Sequence, residues 1–242
     1  MKAPKVVIVM PAYNTAKTIR KTYKDIPSEF KKHVIMTDDG STDESVKVAR
    51  MLGLTVIRHN KNKGYGANQK TCYKAALKAG ADIVVMLHPD YQYPSELIAP
   101  MVAMLKTGHY DVILGSRILS GGALRGGMPL YKYIANRLLT FVENLLTGAK
   151  LSEYHTGFRA YTRNALKSVN YEQNSDDFVF DNQMLLQLLS RGNRIGEISS
   201  PCRYFPEASS INFLRSLRYG IGCLYYGFGY FLGRISRYNN AS

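Results

Sequence analysis

Five short runs of apolar and β-branched residues do most to limit what this chain can fold into. They are 6–10, 33–37, 55–58, 83–87 and 111–115. Each suits a buried strand and is too short for a globular helix. Segments of helical spacing separate them. One, for example, puts Val46, Ala49 and Leu52 on a single face. Strands alternating with helices predict an α/β fold, with a mostly parallel sheet, right-handed crossovers and helices on both faces. Ligands of such sheets sit just beyond the carboxyl ends of the strands. Polar clusters follow the first, second and fourth runs: Pro11-Ala12-Tyr13-Asn14, Asp38-Asp39-Gly40-Ser41-Thr42-Asp43, and His88-Pro89-Asp90-Tyr91-Gln92. A parallel sheet would gather all three on one edge.

The cluster after the fourth run carries the clearest chemistry. Asp90 and Gln92, two residues apart past a strand end, can both face a hard cation such as Mg²⁺ or Mn²⁺. A diphosphate would complete the coordination. The plainer reading is a polar turn, with Asp90 capping the helix that opens at Pro94-Ser95-Glu96. A basic glycine loop, Asn62-Lys63-Gly64-Tyr65-Gly66, follows the third run. A nicotinamide-binding domain would carry G-x-G-x-x-G after the first strand, where this chain has no glycine.

With 242 residues, 45% of them hydrophobic, the chain can bury a substantial core. Its net charge of +14 favours an anionic partner such as acidic lipid or phosphorylated substrate. No nucleic-acid motif is visible. Cys72, Cys202 and Cys223 have no metal-ligand spacing and read as reduced core cysteines of a cytosolic chain. No signal peptide is visible at the start, and no run reaches the roughly 18–20 apolar residues of a membrane span.

Taken in order, several segments resemble glycosyltransferase family 2, of the GT-A fold. They are residues 7–14, the Asp38–Asp43 cluster, Asn62-Lys63-Gly64-x-Gly66-Ala67, the Asp90 stretch, Gly115-Ser116-Arg117, and Thr156-Gly157-Phe158-Arg159-Ala160. Within the family the chain is most similar to the dolichol-phosphate and polyprenyl-phosphate sugar synthases. The resemblance implies a nucleotide-diphosphate sugar of GDP-mannose or UDP-glucose type, a divalent metal (Mg²⁺ or Mn²⁺) and an inverting transfer. It assigns the nucleotide sugar to Pro11, Ala12, Tyr13, Asn14, Asp38, Asp39, Lys63, Gly64, His88 and Asp90. It assigns the metal to Asp90, Gln92 and His88, and the acceptor phosphate to Arg117, Arg125, Arg203 and Ser209. The catalytic set is Asp90, Arg117 and Asp181.

The chain departs from the family pattern in three places. His88 stands where the family's metal motif has its first acid. A neutral imidazole suits Mn²⁺ better than Mg²⁺, or it touches only the diphosphate. Glu153 replaces an aspartate, and Gln183 replaces a helical glutamate with Asp181 just before it. Asp181 is then a general base for a hydroxyl acceptor, or an N-cap for the helix running to Leu189. An acceptor phosphate, already anionic, needs no base.

On the acceptor side, the glycines of 120–127 predict a mobile lid. The stripe Ile134, Leu138, Phe141 and Leu145 reads as core. Residues 1–208 are taken as the glycosyltransferase domain. Residues 209–242, with Arg234 and Arg237 at their end, are taken as an amphipathic helical segment, a helix pair, that associates with membrane. The expected setting is cytoplasmic, peripheral at the inner membrane face, with a membrane-protein partner or a homo-oligomer left open. Two other functions fit the residues: transfer to a sugar hydroxyl in envelope polysaccharide or glycolipid synthesis, and a basic membrane-binding protein with a decayed active site.

Overall fold

The structure is a computed structural model, and it describes residues 3–205 and 213–233. The strands are β1 (Val6–Ala12), β2 (Val34–Asp38), β3 (Thr55–Arg58), β4 (Ile83–Met86), β5 (Val112–Ser116), β6 (Arg159–Thr162) and β7 (Ile195–Ser199). The helices are α1 (Ile19–Lys24), α2 (Ser45–Met51), α3 (Tyr65–Lys78), α4 (Ile98–Lys106), α5 (Leu130–Thr147), α6 (Arg163–Lys167), α7 (Phe180–Ser190) and α8 (Phe213–Phe231).

One sheet runs in the order β3-β2-β1-β4-β6-β5-β7. β1 is parallel to both β2 and β4, and β5 is parallel to β7. The sequence pattern showed five of the six parallel strands but not β7, nor β6, which lies antiparallel between β4 and β5. Its direction matters for the site. Arg159, the first residue of β6, pairs with Met86 at the end of β4 and with Leu114 of β5. An antiparallel strand thus starts where its neighbours finish, so residues 153–158 enter the sheet at its carboxyl edge.

β1, β2, β4 and β5 are buried on both faces, which is why they read as continuous apolar runs. Val7, Val9, Val84 and Met86 pack with Cys72 and Tyr73 of α3 and with Phe180, Met184 and Leu188 of α7. The alternate residues Ile8, Met10, Val85 and Leu87 pack with Ile19 of α1 and Met101, Val102 and Leu105 of α4. All three cysteines are buried and free.

The glycine-rich segment after Arg117 forms a turn with its own small core of Ile118, Ala123 and Met128. Gly126 serves close approach, since a Cβ there would lie 2.0 Å from the Cys202 carbonyl. One expectation is corrected: the apolar stripe of α5 is not core. Ile134, Leu138, Phe141 and Leu145 are 56–66% exposed, while the buried face carries Asn136, Thr140 and Glu143. α5 is thus turned with its polar side inward.

α8 is one continuous helix through its glycines, where a helix pair was expected. It packs on α5 and α7. Gly220 and Gly227, seven residues apart, lie against Leu139 and Leu146 of α5, and Gly222 lies against Val179. No helix among the described residues is long and apolar enough to cross a membrane.

Glycine substitutions separate these roles. A Cβ on Gly66 would sit 2.3 Å from the Ser175 carbonyl oxygen, so Gly66→Ala should cost about 1–3 kcal/mol through overpacking. Gly229 of α8 has nothing within 4 Å of such a Cβ, so Gly229→Ala should stabilise the chain by up to about 1 kcal/mol. Urea midpoints of the two variants, read against the parent, test both signs.

Candidate active site

The carboxyl edge of the sheet gathers the polar clusters. The ends of β1 and β2 are stitched together there. The Ala12 carbonyl accepts the Asp39 amide at 2.8 Å. Asn14, in the left-handed region at φ 53°, accepts the Thr42 amide through Oδ1 at 2.9 Å, and its own amide donates to Ser41 Oγ at 2.8 Å. Pro11 and Ala12 are buried in β1, while Tyr13 between these ties is 48% exposed.

The two acids after β2 have different surroundings. Asp39 accepts three hydrogen bonds: from the Lys63 amide at 2.9 Å, from the Gly64 amide at 3.0 Å, and from His59 Nδ1 at 2.7 Å. It therefore shapes the glycine loop. Asp38 accepts the Ser41 amide at 3.1 Å and has Arg58 Nε 3.5 Å away, both on Oδ2. Its buried Oδ1 has no donor among the described residues. Gly64 and Gly66 bring the loop against residues 175–176. A Cβ on Gly64 would fall 2.4 Å from the Asp176 carbonyl, and that carbonyl accepts the Gly66 amide at 2.8 Å. The Lys63 side chain is exposed.

Past β4, Asp90 is 6% exposed and accepts the Gln92 amide at 3.1 Å, so it does not cap the next helix. Burial pushes its carboxyl above the ordinary value, against the pull of His88, the Gln92 amide and Arg117. It makes no ion pair among the described residues. A buried carboxylate without a paired cation is costly, so this donor set suits a divalent ion. No cluster of three His, Cys, Asp or Glu among the described residues could hold one unaided. Such an ion would have to share its coordination with a ligand, as Mg²⁺ usually does with substrate phosphates.

His88 sits two residues from Asp90. Burial keeps its ring below the ordinary pKa, with Asp90 and Asp181 pulling the other way. Its Nε2 lies 3.2 Å from the Tyr65 hydroxyl, which donates to Asp181 Oδ2 at 2.7 Å. Gln69 Nε2 donates to Asp181 Oδ1 at 3.0 Å. Tyr65 and Gln69 were not singled out from the sequence, and Tyr65 is the unread x between two glycines. Asp181 lies inside α7 behind an N-cap residue, Val179, that makes no side-chain cap bond. The N-cap reading of Asp181 is thereby corrected.

Arg117, just past β5, is held on nearly every side. Its backbone amide and Nε donate to Glu153 at 2.7 and 2.8 Å, Nη2 donates to Glu153 and to the His155 carbonyl, and Nη1 donates to the Tyr204 hydroxyl at 2.8 Å. One of its five N–H groups has no partner among the described residues. Burial disfavours the Arg117 charge, but Glu153 holds its pKa well up. Burial likewise opposes the Glu153 charge, yet Arg117 and Asn136 keep its carboxyl below the ordinary range. Asn136 of α5 donates to Glu153 at 2.8 Å. The segment then continues into His155, whose Nδ1 meets the Tyr219 hydroxyl of α8 at 2.8 Å, while Nε2 faces Glu143 Oε2 at 3.2 Å.

The remaining acceptor-side residues are more open. Arg125 is exposed on the glycine turn. The Arg203 guanidinium lies over the Tyr91 ring, 5.1 Å from its centroid, and its amide donates to the Gln92 carbonyl at 3.0 Å. Ser209, Arg234 and Arg237 lie outside the described residues.

The sequence profile of glycosyl transferase family 2 matches residues 7–169. A UDP-N-acetylglucosamine–dolichyl-phosphate N-acetylglucosaminyltransferase of Methanococcus voltae is 27% identical over 210 residues, 80% of this chain and 83% of that protein. A dolichyl-phosphate hexose transferase of Haloferax volcanii is 29% identical over 198 residues, 81% of this chain and 82% of its own length. Among solved structures, glucosyl-3-phosphoglycerate synthase from Mycobacterium tuberculosis, in complex with Mn²⁺ and UDP-glucose, superposes with a TM-score of 0.71 at 19% identity. That match covers 94% of this chain and 80% of the other. It shows the same GT-A fold.

The Arg117–Glu153 pair gives a signed pH effect. Glu153 has a depressed pKa, so its contribution is present above the unfolded glutamate value of about 4.3 and is lost as pH falls through the lower folded value. Removing one partner of a buried pair costs about 3–5 kcal/mol. Glu153→Ala should lose that much near pH 7 and show a shallower acid limb than the parent, as measured by urea unfolding from pH 7 to pH 3.

Proposed function

The chain belongs to glycosyltransferase family 2, and on that premise we propose that it moves a hexose from a nucleotide-diphosphate sugar to a polyprenyl or dolichyl phosphate, with inversion, at the cytoplasmic face of a membrane. The observation that carries the choice of acceptor is the state of Asp181. Both its oxygens accept hydrogen bonds, from Tyr65 and from Gln69. An acid so held is a poor base for a hydroxyl, and a phosphate monoester, anionic at neutral pH, needs none. The two dolichyl-phosphate relatives support the same choice.

In this reading the donor lies across the carboxyl edge. Asp38, with its spare Oδ1, accepts from the base, and the exposed ring of Tyr13 offers a stacking face. Pro11, Ala12 and Asn14 fix the β1 end beneath it. Asp39 and Gly64 hold the loop that presents the Lys63 charge to the diphosphate. Asp90, with Gln92 and His88, would hold Mg²⁺ or Mn²⁺, which when bound supplies positive charge to the diphosphate leaving group. Arg117, through its remaining N–H, together with Arg125, Arg203 and Ser209, receives the lipid phosphate. An oxygen of that phosphate attacks the anomeric carbon in line. The new C–O bond forms as the bond to the nucleoside diphosphate breaks, and the bond electrons leave with the diphosphate.

The exposed apolar residues of α5 are the membrane-facing part of the proposal. They are continued on the adjoining α8 by Leu217, Ile221, Tyr225 and Phe228, each more than half exposed. Apolar stripes on packed helices of a chain with a +14 charge suit an anionic lipid surface.

Incubation with labelled UDP-glucose, UDP-N-acetylglucosamine or GDP-mannose, Mn²⁺ and vesicles containing dolichyl phosphate should give a lipid-linked, acid-labile glycosyl phosphate that EDTA abolishes. Transfer only to sugar hydroxyls would put Asp181 back as the base and sink the phosphate reading. Burial of a Leu or Phe contributes roughly 1.5–3 kcal/mol, and 1.4 kcal/mol is tenfold. Leu138→Glu with Phe141→Glu should therefore weaken sedimentation with phosphatidylglycerol vesicles by more than tenfold, with metal-dependent nucleotide binding retained.

A further inference from the structure

The contacts around His88 determine where its proton sits. Asp181 is a carboxylate and can only accept, so the one hydroxyl proton of Tyr65 goes to Asp181 Oδ2, 2.7 Å away. The Tyr65 oxygen then has only lone pairs left for His88 Nε2, 3.2 Å away. Nε2 must therefore be the donor. In a neutral imidazole that makes Nδ1 the lone-pair nitrogen, and Nδ1 has no hydrogen-bond partner among the described residues.

The surroundings hold the ring as well as its proton. The Tyr65 ring lies nearly parallel to His88, at 6° and 5.5 Å, and stacks on Phe178 on its own account at 4.8 Å. Gly157 closes the Nε2 edge: a Cβ there would meet His88 Nε2 at 2.8 Å and Cδ2 at 2.9 Å. Gln69 fixes the other oxygen of Asp181 at 3.0 Å, and the Asp181 backbone carbonyl accepts from Arg159 Nη1 at 2.9 Å. The whole relay is thus anchored in α3, α7 and the start of β6.

We propose that Tyr65 is a positioning residue which, backed by Asp181, locks His88 as the Nε2–H tautomer and so reserves Nδ1 as a ligand for the divalent cation held by Asp90. The proposal rests on the donor-site reading above. It gives Asp181 a role other than general base, two residues removed from the reacting atoms. It also explains how a histidine serves where the family pattern has an acid. Ligating histidines are commonly held by a hydrogen bond from the second ring nitrogen, and loss of that partner costs ten- to a hundredfold in metal affinity.

Two measurements test it. The first uses the wild-type protein without metal, labelled with ¹⁵N-histidine and assigned by the signal missing from His88→Ala. A long-range ¹H–¹⁵N spectrum should show the His88 proton on Nε2, and a proton on Nδ1 would overturn the relay. The second follows Mn²⁺ binding by electron paramagnetic resonance in the presence of UDP or GDP. Tyr65→Phe, which keeps the ring stack, should weaken Mn²⁺ ten- to a hundredfold, yet change it less than threefold in a His88→Ala background. Equal losses in both backgrounds would mean that Tyr65 acts without His88, and the proposal fails. If neither nucleotide binds the wild-type protein, the donor reading itself falls, whereas the tautomer experiment still judges the relay separately.

Discussion

A sheet covered on both faces has one place left for polar chemistry, its carboxyl edge. Every strand residue from Val6 to Ala12 and from Val34 to Asp38 is buried, so a charged side chain along either strand would stand unpaired in an apolar layer. The charges begin where the strands stop. Because β1, β2 and β4 are parallel, they stop together, and β6, running the other way, begins where they stop. The positions of Pro11, Ala12, Asp38, Asp39, Asp90 and Arg117 follow from this arrangement of strand ends.

At that edge the acidic groups divide by what holds them. Asp39 is bound into the glycine loop, Glu153 into Arg117, and Asp181 into Tyr65 and Gln69. These three shape the site. Asp90 differs, being buried with no ion pair among the described residues, its carboxyl raised by desolvation. Asp38 keeps one oxygen without a donor among the described residues. Spare capacity for a cation and for an N–H donor therefore survives at two points, set by the acids that are already satisfied.

The acceptor side follows a different rule. α5 turns Asn136 and Glu143 inward because they have partners there: Asn136 donates to Glu153, and Glu143 accepts from Asn182 of α7 and faces His155. Buried polar groups with partners are stable in a way that isolated ones are not. The leucines and phenylalanine of the same helix are left outside. α8 reaches the same network through Tyr219 and His155, and the glycines on its inner side let it lie close to Leu139 and Leu146. One polar network thus joins the outer helix pair to the segment that grips Arg117.

The first five strands and the clusters after β1, β2 and β4 were legible in the residues, because short apolar runs and the polar turns after them are local signals. The departures at His88, Glu153 and Gln183 were legible too. β6 was not, since its four residues carry no period that marks direction. The α5 stripe misled for a definite reason: apolar residues at helical spacing show that a helix has two faces, not which of them turns inward. That choice was made by partners far along the chain, Glu153 for Asn136 and Asn182 for Glu143. Tyr65 gave no signal, because its meaning depends on Asp181, 116 residues away. By itself, then, the amino-acid sequence determined the first five strands, the edge on which the chemistry lies and the family. Only the tertiary structure decided which carboxylates are already bound, which nitrogen of His88 holds the proton and which face of α5 meets the outside, because each depends on a hydrogen-bond partner supplied by another element.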